Sequence, residues 1–211
     1  MSVRLNSSIG GSVTISPANT SSNTTATLPA RNGTVILDNG AGKIQYSDLP
    51  AGTVIQVVNT TLYTPTSVAL SGQSNFVNIP SYSVNITPRF ASSRIYVSAR
   101  WFGELSPQSA NWDTTFGLKR NGTVIGQNPS AGGFNGISMA ALGYYADDGN
   151  STPEMMYLDY WDSPNTTSTL TYQLYAVTFN SATLFTNRTV ATGGSNYEYG
   201  NSTITVWEIS Q

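Results

Sequence analysis

The chain has no cysteine and no histidine, and charge is sparse: nine Lys and Arg and eleven Asp and Glu among 211 residues. Without cysteine the fold has no disulfide staple and no thiolate to offer a metal. Without histidine, Ser-His-Asp and Cys-His catalysis and every His-ligated zinc site are excluded. The basic residues are scattered and the net charge is -2, so the electrostatic footprint that nucleic acids or anionic membranes require is missing. Long apolar runs are also lacking, and the N-terminal MSVRLNSS has no apolar centre of the kind a secretory signal needs. The expectation is a protein made in a cytoplasm that leaves it, if at all, without being secreted. In that setting, Asn-x-Ser/Thr triplets such as Asn85-Ile86-Thr87 and Asn187-Arg188-Thr189 reflect composition rather than glycosylation.

What is present favours strands. Hydrophobic residues make up 39% of the chain, and Gly, Ser, Thr and Asn supply much of the rest, which is the balance of an all-β protein rich in turns. Leu5 to Ala30 carries no charged residue yet is too polar to span a membrane. Within it, Ser12-Val13-Thr14-Ile15 and Thr24-Thr25-Ala26-Thr27-Leu28 alternate polar with apolar, with a turn at Pro17-Ala18-Asn19-Thr20. Two such short strands cannot bury a core alone, so they are expected to pair with something else.

Gly, Asp and Pro cluster in DNGAGKIQYSDLPAG, which reads as a linker over residues 38–50 between an arm at 1–37 and a domain at 51–211. The domain reads as a series of strands. Thr53 to Val58 is nearly continuously apolar and predicts a strand covered on both faces. Ser83 to Thr87 alternates and stops at Pro88; in the next strand Ile95, Val97, Ala99 and Trp101 share one face while Tyr96, Ser98 and Arg100 share the other. Asn121-Gly122, between Thr115–Arg120 and Thr123–Ile125, predicts a type I′ hairpin, because both residues tolerate positive φ. Ile137 to Tyr145 is compatible with a short helix, but its glycines and tyrosines favour strand. Met155–Trp161, Leu170–Phe179 and Thr203–Ile209 complete eight or so strands, which predicts an antiparallel β-sandwich, jelly-roll-like.

Gly11 to Ile36, GSVTISPANTSSNTTATLPARNGTVI, resembles a segment of the tail fibres and related appendages of tailed bacteriophages. Three further stretches resemble signatures of the β domains at the ends of such fibres: ITPRFASSRIYV (Ile86 to Val97), YLDYWDSPNTTSTLTYQL (Tyr157 to Leu174) and STITVWEI (Ser202 to Ile209). An LDSP-like signature is interrupted here by Tyr160-Trp161; Asp159 and Asp162 both compete for its Asp, and the spacing to Thr171-Tyr172 favours Asp162. The resemblance implies a non-enzymatic virion protein, located on the particle surface and homotrimeric. Its arm would anchor to other virion proteins, and its β-sandwich would contact a host polysaccharide or protein. Two alternatives stand beside this expectation: a purely structural neck or head fibre or capsid decoration, and a soluble carbohydrate-binding module.

Paired carboxylates are the one catalytic chemistry left open. Glu104, Asp113, Asp147, Asp148, Glu154, Asp159, Asp162 and Glu198 are the candidates, and no pair stands out in the sequence. Asp147-Asp148-Gly149-Asn150 lacks the spacing of a calcium loop and reads as a solvated hairpin tip. No catalytic residue, metal site or cofactor is therefore expected. For binding, the expected residues lie in or beside loops: Trp112, Tyr144, Tyr145, Tyr197 and Tyr199 to stack on sugar faces, with Asp147 and Asp148 to bond hydroxyls. Trp101, Trp161 and Trp207 fall inside strand patterns and are expected in the core or at a subunit interface.

Overall fold

The computed structural model describes residues 3–6, 8–10, 12–15, 46–72, 74–128, 139–142, 150–194 and 197–211. The chain divides into two compact units, Met1–Asp38 and Asn39–Gln211. In the first, β1 (Val3–Asn6) and β2 (Ser12–Ile15) form an antiparallel hairpin with Val3 opposite Ile15 and Asn6 opposite Ser12. The strand expected at Ser12–Ile15 thus finds its partner just upstream. The strand expected at Thr24–Leu28 lies outside the described residues.

The second unit is an all-β sandwich with eleven described strands, every pairing antiparallel. One sheet runs β3 (Val54–Leu62), β13 (Ser202–Ile209), β6 (Arg94–Ser106), β12 (Ser181–Thr186) and β4 (Thr66–Ser71), with β10 (Glu154–Asp162) also paired to β6. The other runs β5 (Val77–Ile86), β11 (Leu170–Thr178), β7 (Thr114–Arg120) and β8 (Thr123–Ile125), with the two-residue β9 (Ala140–Ala141) on β7.

The long strand β6 organises the first sheet, since its 13 residues serve three partners: β13 along 94–100, β10 along 95–103 and β12 along 103–106. Its alternation places Ile95, Val97, Ala99 and Trp101 in the core, as expected, beside Ile204 and Val206 of β13 and Met156 and Leu158 of β10. Leu170, Tyr172, Leu174 and Ala176 of β11 and Phe116 and Leu118 of β7 close the core from the other sheet. Burial of side chains this large dominates the stability of such a sandwich. At Gly103 a Cβ would run into the Phe185 carbonyl oxygen and the Trp101 ring, so the approach of β12 to β6 requires glycine there.

Two local departures from the sequence pattern have physical causes. Among the described residues, the apolar run at Val54–Val58 is an edge strand with β13 as its one sheet neighbour, and Val54 and Val57 are half exposed, not covered on both faces as expected. Strand β5 begins at Val77, upstream of the expected Ser83, despite Pro80 and a positive φ at Ser81. Pairing with β11 breaks there between Gln173 and Tyr175, and the Gln173 side-chain amide donates to the Ile79 and Tyr82 carbonyls at 2.9 Å each, satisfying groups that the break leaves unpaired. Of the ambiguous stretch Ile137–Tyr145, Ala140–Ala141 is strand; Ile137, Ser138 and 143–145 lie outside the described residues.

Buried carboxylates lock two joints. Glu208 on β13 accepts from Arg89 N (2.7 Å), Phe90 N (3.2 Å), Ser93 Oγ (2.7 Å) and Gln56 Nε2 (2.5 Å), tying the β5–β6 turn to the first sheet. Asp162, at the end of β10, accepts from Arg120 of β7 and from the Tyr172 hydroxyl of β11, so it bridges the two sheets.

Candidate functional site

The outer face of the first sheet carries a row of rings. Register sets Trp161 of β10 opposite Tyr96 of β6, Tyr96 opposite Trp207 of β13, and Trp207 opposite Val57 of β3. Opposed residues of antiparallel strands stand about 5 Å apart, and the ring centroids follow: 4.8 Å from Trp161 to Tyr96 and 5.3 Å from Tyr96 to Trp207, tilted by 40° and 42°. The rings therefore support one another while keeping surface in solvent; Trp161 remains 45% exposed. The Arg94 guanidinium lies 4.7 Å from the Trp161 ring centroid, within cation–π range. Val54, Ile209 and Gln211 complete a groove of about 510 Å³.

One strand step of two residues away, the same face turns polar. Asp159, Ser98, Thr205 and Asn59 stand opposite one another in a second row, parallel to the first. At about 3.3 Å per residue the two rows are roughly 7 Å apart. Asn59 and Thr205 bond each other at 2.7 Å, while Asp159 is exposed. Among the described residues, no group bonds the Asp159 carboxylate and no acid pairs with Arg94.

Of the three strand tryptophans, expected in the core or at a subunit interface, Trp101 is in the core and fully buried, with its Nε1 donating to Thr186 Oγ1 at 2.9 Å, whereas Trp161 and Trp207 lie outside the core cluster. Strand parity is the reason. In β10 the even positions Met156 and Leu158 face inward, and in β13 Ile204 and Val206 do, so odd-numbered Trp161 and Trp207 face out.

The loop residues expected to bind fall elsewhere. Tyr144, Tyr145, Asp147 and Asp148 lie outside the described residues. Trp112 sits on a short 3-10 helix, Gln108–Asp113. Tyr197 is half-buried and Tyr199 is 58% exposed, in the segment between β12 and β13, where Tyr199 makes an isolated bridge with Arg188. Neither tyrosine lines the groove.

The structure also pairs two of the eight carboxylates that the sequence left unpaired. Glu154 stands opposite Gly103, next to Glu104, and both glutamates are buried. Glu104 accepts from Thr152 N at 3.2 Å and from Val190 N at 2.6 Å. Burial, and then the charge of Glu104, push the Glu154 carboxyl up to about 7. The pair clasps the segments that flank β10 and β12 rather than lining the aromatic groove. Among the described residues, no group of three or more acidic side chains is placed to hold a metal, and no helix is long and apolar enough to cross a membrane.

Compared with known proteins, the chain matches no family model and no curated protein.

Proposed function

We propose that the protein is a structural fibre or appendage protein of a tailed bacteriophage particle, its N-terminal unit fastened to the virion and its sandwich turned toward the host surface. The observation that supports this reading best is the division of labour along the chain. A unit over Met1–Asp38, whose described strands form a hairpin of two four-residue strands, precedes a unit whose described residues form a sandwich around one hydrophobic cluster. An element that cannot bury a core gains stability by pairing with a partner, which suits an attachment arm. The sandwich, needing no such partner to fold, is free to present a surface. The motif resemblance of residues 11–36, 86–97, 157–174 and 202–209 points the same way and implies a homotrimer on the particle.

Binding, not catalysis, is the role of the sandwich in this reading. Its distinctive exposed feature is a ring-lined groove carrying one cation, and rigid aromatic surfaces of this kind are contact surfaces. The test is competition. Purified full-length protein in excess should block adsorption of the parent particle to its host, and antibody to the protein should label an appendage in electron micrographs. Normal adsorption at saturating protein, with no label on the particle, would count decisively against the proposal.

A further inference from the structure

We infer that the Trp161–Tyr96–Trp207 face is a saccharide-binding site selective for acidic sugars, with Arg94 as the carboxylate partner and Asp159 as a hydroxyl acceptor. The inference deepens the proposed role in host contact and rests on it for its biological setting.

Three observations combine. The first is the platform: the three rings lie side by side across three hydrogen-bonded strands, so their positions are set by the sheet backbone rather than by a loop. A pyranose presents an apolar face of C–H groups, which packs on such rings, and the rings lose little conformational freedom on binding. The second is the order of the rows. Position 94 on β6 lies on one side of Tyr96, with its guanidinium over the Trp161 ring, and the Asp159–Ser98–Thr205–Asn59 row lies on the other, all on the same sheet face. A sugar stacked on the platform meets a donor-only group at one edge and acceptors and hydroxyls at the other. The third is the state of the two charges. Arg94 is held by stacking on Trp161, and no acid among the described residues pairs with it. Asp159 is exposed with no described bonding partner.

These three fix the class of ligand. A guanidinium with its donors uncommitted binds a carboxylate in bidentate fashion more strongly than a hydroxyl. A neutral glycan would offer that donor set only hydroxyl oxygens, which are weaker, uncharged acceptors. A glycan carrying a carboxylate, as uronates and sialates do, uses the cation and the rings together. Asp159 sets the direction, since it repels the carboxylate and accepts a hydroxyl. About 13 Å of strand separates positions 94 and 98 on β6 from end to end of the site, enough for two sugar residues rather than one.

The test is calorimetric titration of the full chain with short oligomers of galacturonate, mannuronate and glucuronate and with sialyllactose, against neutral maltotriose. At least one acidic oligomer should bind saturably, about tenfold more tightly than maltotriose. Arg94→Gln should erase that preference, and Trp161→Ala should weaken acidic and neutral sugars alike by about tenfold; both positions are on the surface, and unchanged thermal melting confirms that each variant folds. No binding of any acidic oligomer, or an acidic preference that survives Arg94→Gln, overturns the inference. So does light scattering in which Trp161→Ala reduces the number of subunits, because the face would then be a contact between copies of the chain. Cell adsorption separates this failure from that of the proposed function. If the wild type blocks particle adsorption and both variants block it equally, the site assignment falls while the attachment role stands.

Discussion

Arg120 and Asp162 join the two sheets of the sandwich through a single nitrogen: Nη1 of Arg120 lies 2.7 Å from each carboxylate oxygen of Asp162. The Tyr172 hydroxyl donates to Oδ2 of the same carboxylate, also at 2.7 Å. Burial pushes the Tyr172 phenol well above its usual range, and the bond to Asp162 and its negative charge add to the effect. Asp162 is nearly buried, whereas Arg120 is partly exposed, so the aspartate is the partner whose loss strands the most polar surface. Asp162→Ala is expected to cost about 2–4 kcal/mol, because it leaves a buried hydroxyl and a half-buried cation without their acceptor. Arg120→Ala should cost less, since water reaches its place. Urea denaturation of the two variants checks both the size and the order; equal losses would show that the bridge acts as a simple surface pair.

The neighbouring glutamates predict a pH dependence of opposite sign to the usual carboxylate. Glu154 has its folded-state pKa raised, from the ordinary 4.5 to about 7. The native state therefore holds this proton over a range in which the unfolded chain has released it. Its contribution to stability is complete below pH 4.5, declines as the pH rises toward 7, and is flat above. Solvent screening reduces the amount to on the order of 1–2 kcal/mol. Glu154→Gln should flatten this part of the stability profile and raise the melting temperature at pH 8 relative to wild type. Chemical denaturation at pH 4.5, 6 and 8 measures it, and a variant whose profile runs parallel to wild type would remove Glu154 as the cause.

Strand content was legible wherever alternation was clean. β7, β10, β11 and β13 fall within a residue of where Thr115–Arg120, Met155–Trp161, Leu170–Phe179 and Thr203–Ile209 place them, and β6 starts within a residue of Ile95 but runs five residues past Trp101. The reading failed where apolar content stood in for periodicity. Val54-Ile55 and Val57-Val58 look like a central strand, yet the chain lays them on an edge, because what covers a residue is decided by strand order and not by the residue. Pro80 hid the first half of β5 for a different reason: its fit depends on a glutamine side chain, Gln173, that is 93 residues away.

The aromatic face was half legible. Parity assigns Tyr96 outward from β6 alone, and the same rule applied to Met156-Leu158 and Ile204-Val206 assigns Trp161 and Trp207 outward as well. Size alone left the core and a subunit interface both open for them, and size is the weaker guide when a strand has two faces. What no single-chain pattern could supply is the register. A two-residue slip between β10 and β6 would set Trp161 opposite Arg94 or Ser98 and dissolve the row.

The Asn121-Gly122 turn offers a sharper test of local chemistry. Asn121 has φ +49° and Gly122 φ +82°, the left-handed pair that a type I′ hairpin requires. Asn121 also reaches β11: its N–H donates to the Thr171 carbonyl at 2.9 Å, and its Oδ1 accepts from Thr171 N at 2.8 Å. Gly122→Ala should therefore cost about 1–2 kcal/mol through backbone strain alone, since open space surrounds the position. Asn121→Gly should cost about 1 kcal/mol for a different reason, the lost bond to β11, because glycine keeps the turn. Thermal denaturation of both variants separates strain from hydrogen bonding, and a neutral Gly122→Ala would refute the assigned turn type.

Removal of the first unit is the most direct probe of how the chain divides its work. Among the described residues, the sandwich core draws on Leu62 through Val206, all within the second unit. Its outer strands close on themselves near the chain end: Ser210 N donates to the Thr53 carbonyl at 2.9 Å, and Gly52 N donates to the Ser210 carbonyl at 2.8 Å. Residues 39–211 are thus expected to fold alone, with a cooperative transition within a few degrees of the full chain's. Under the proposed attachment role, the same truncated protein should fail to incorporate into a particle lacking the wild-type gene product. Loss of folding in 39–211 would mean that the first unit is part of the sandwich's stability. Normal incorporation of a folded 39–211 would move the attachment function out of the N-terminal hairpin and into the sandwich itself.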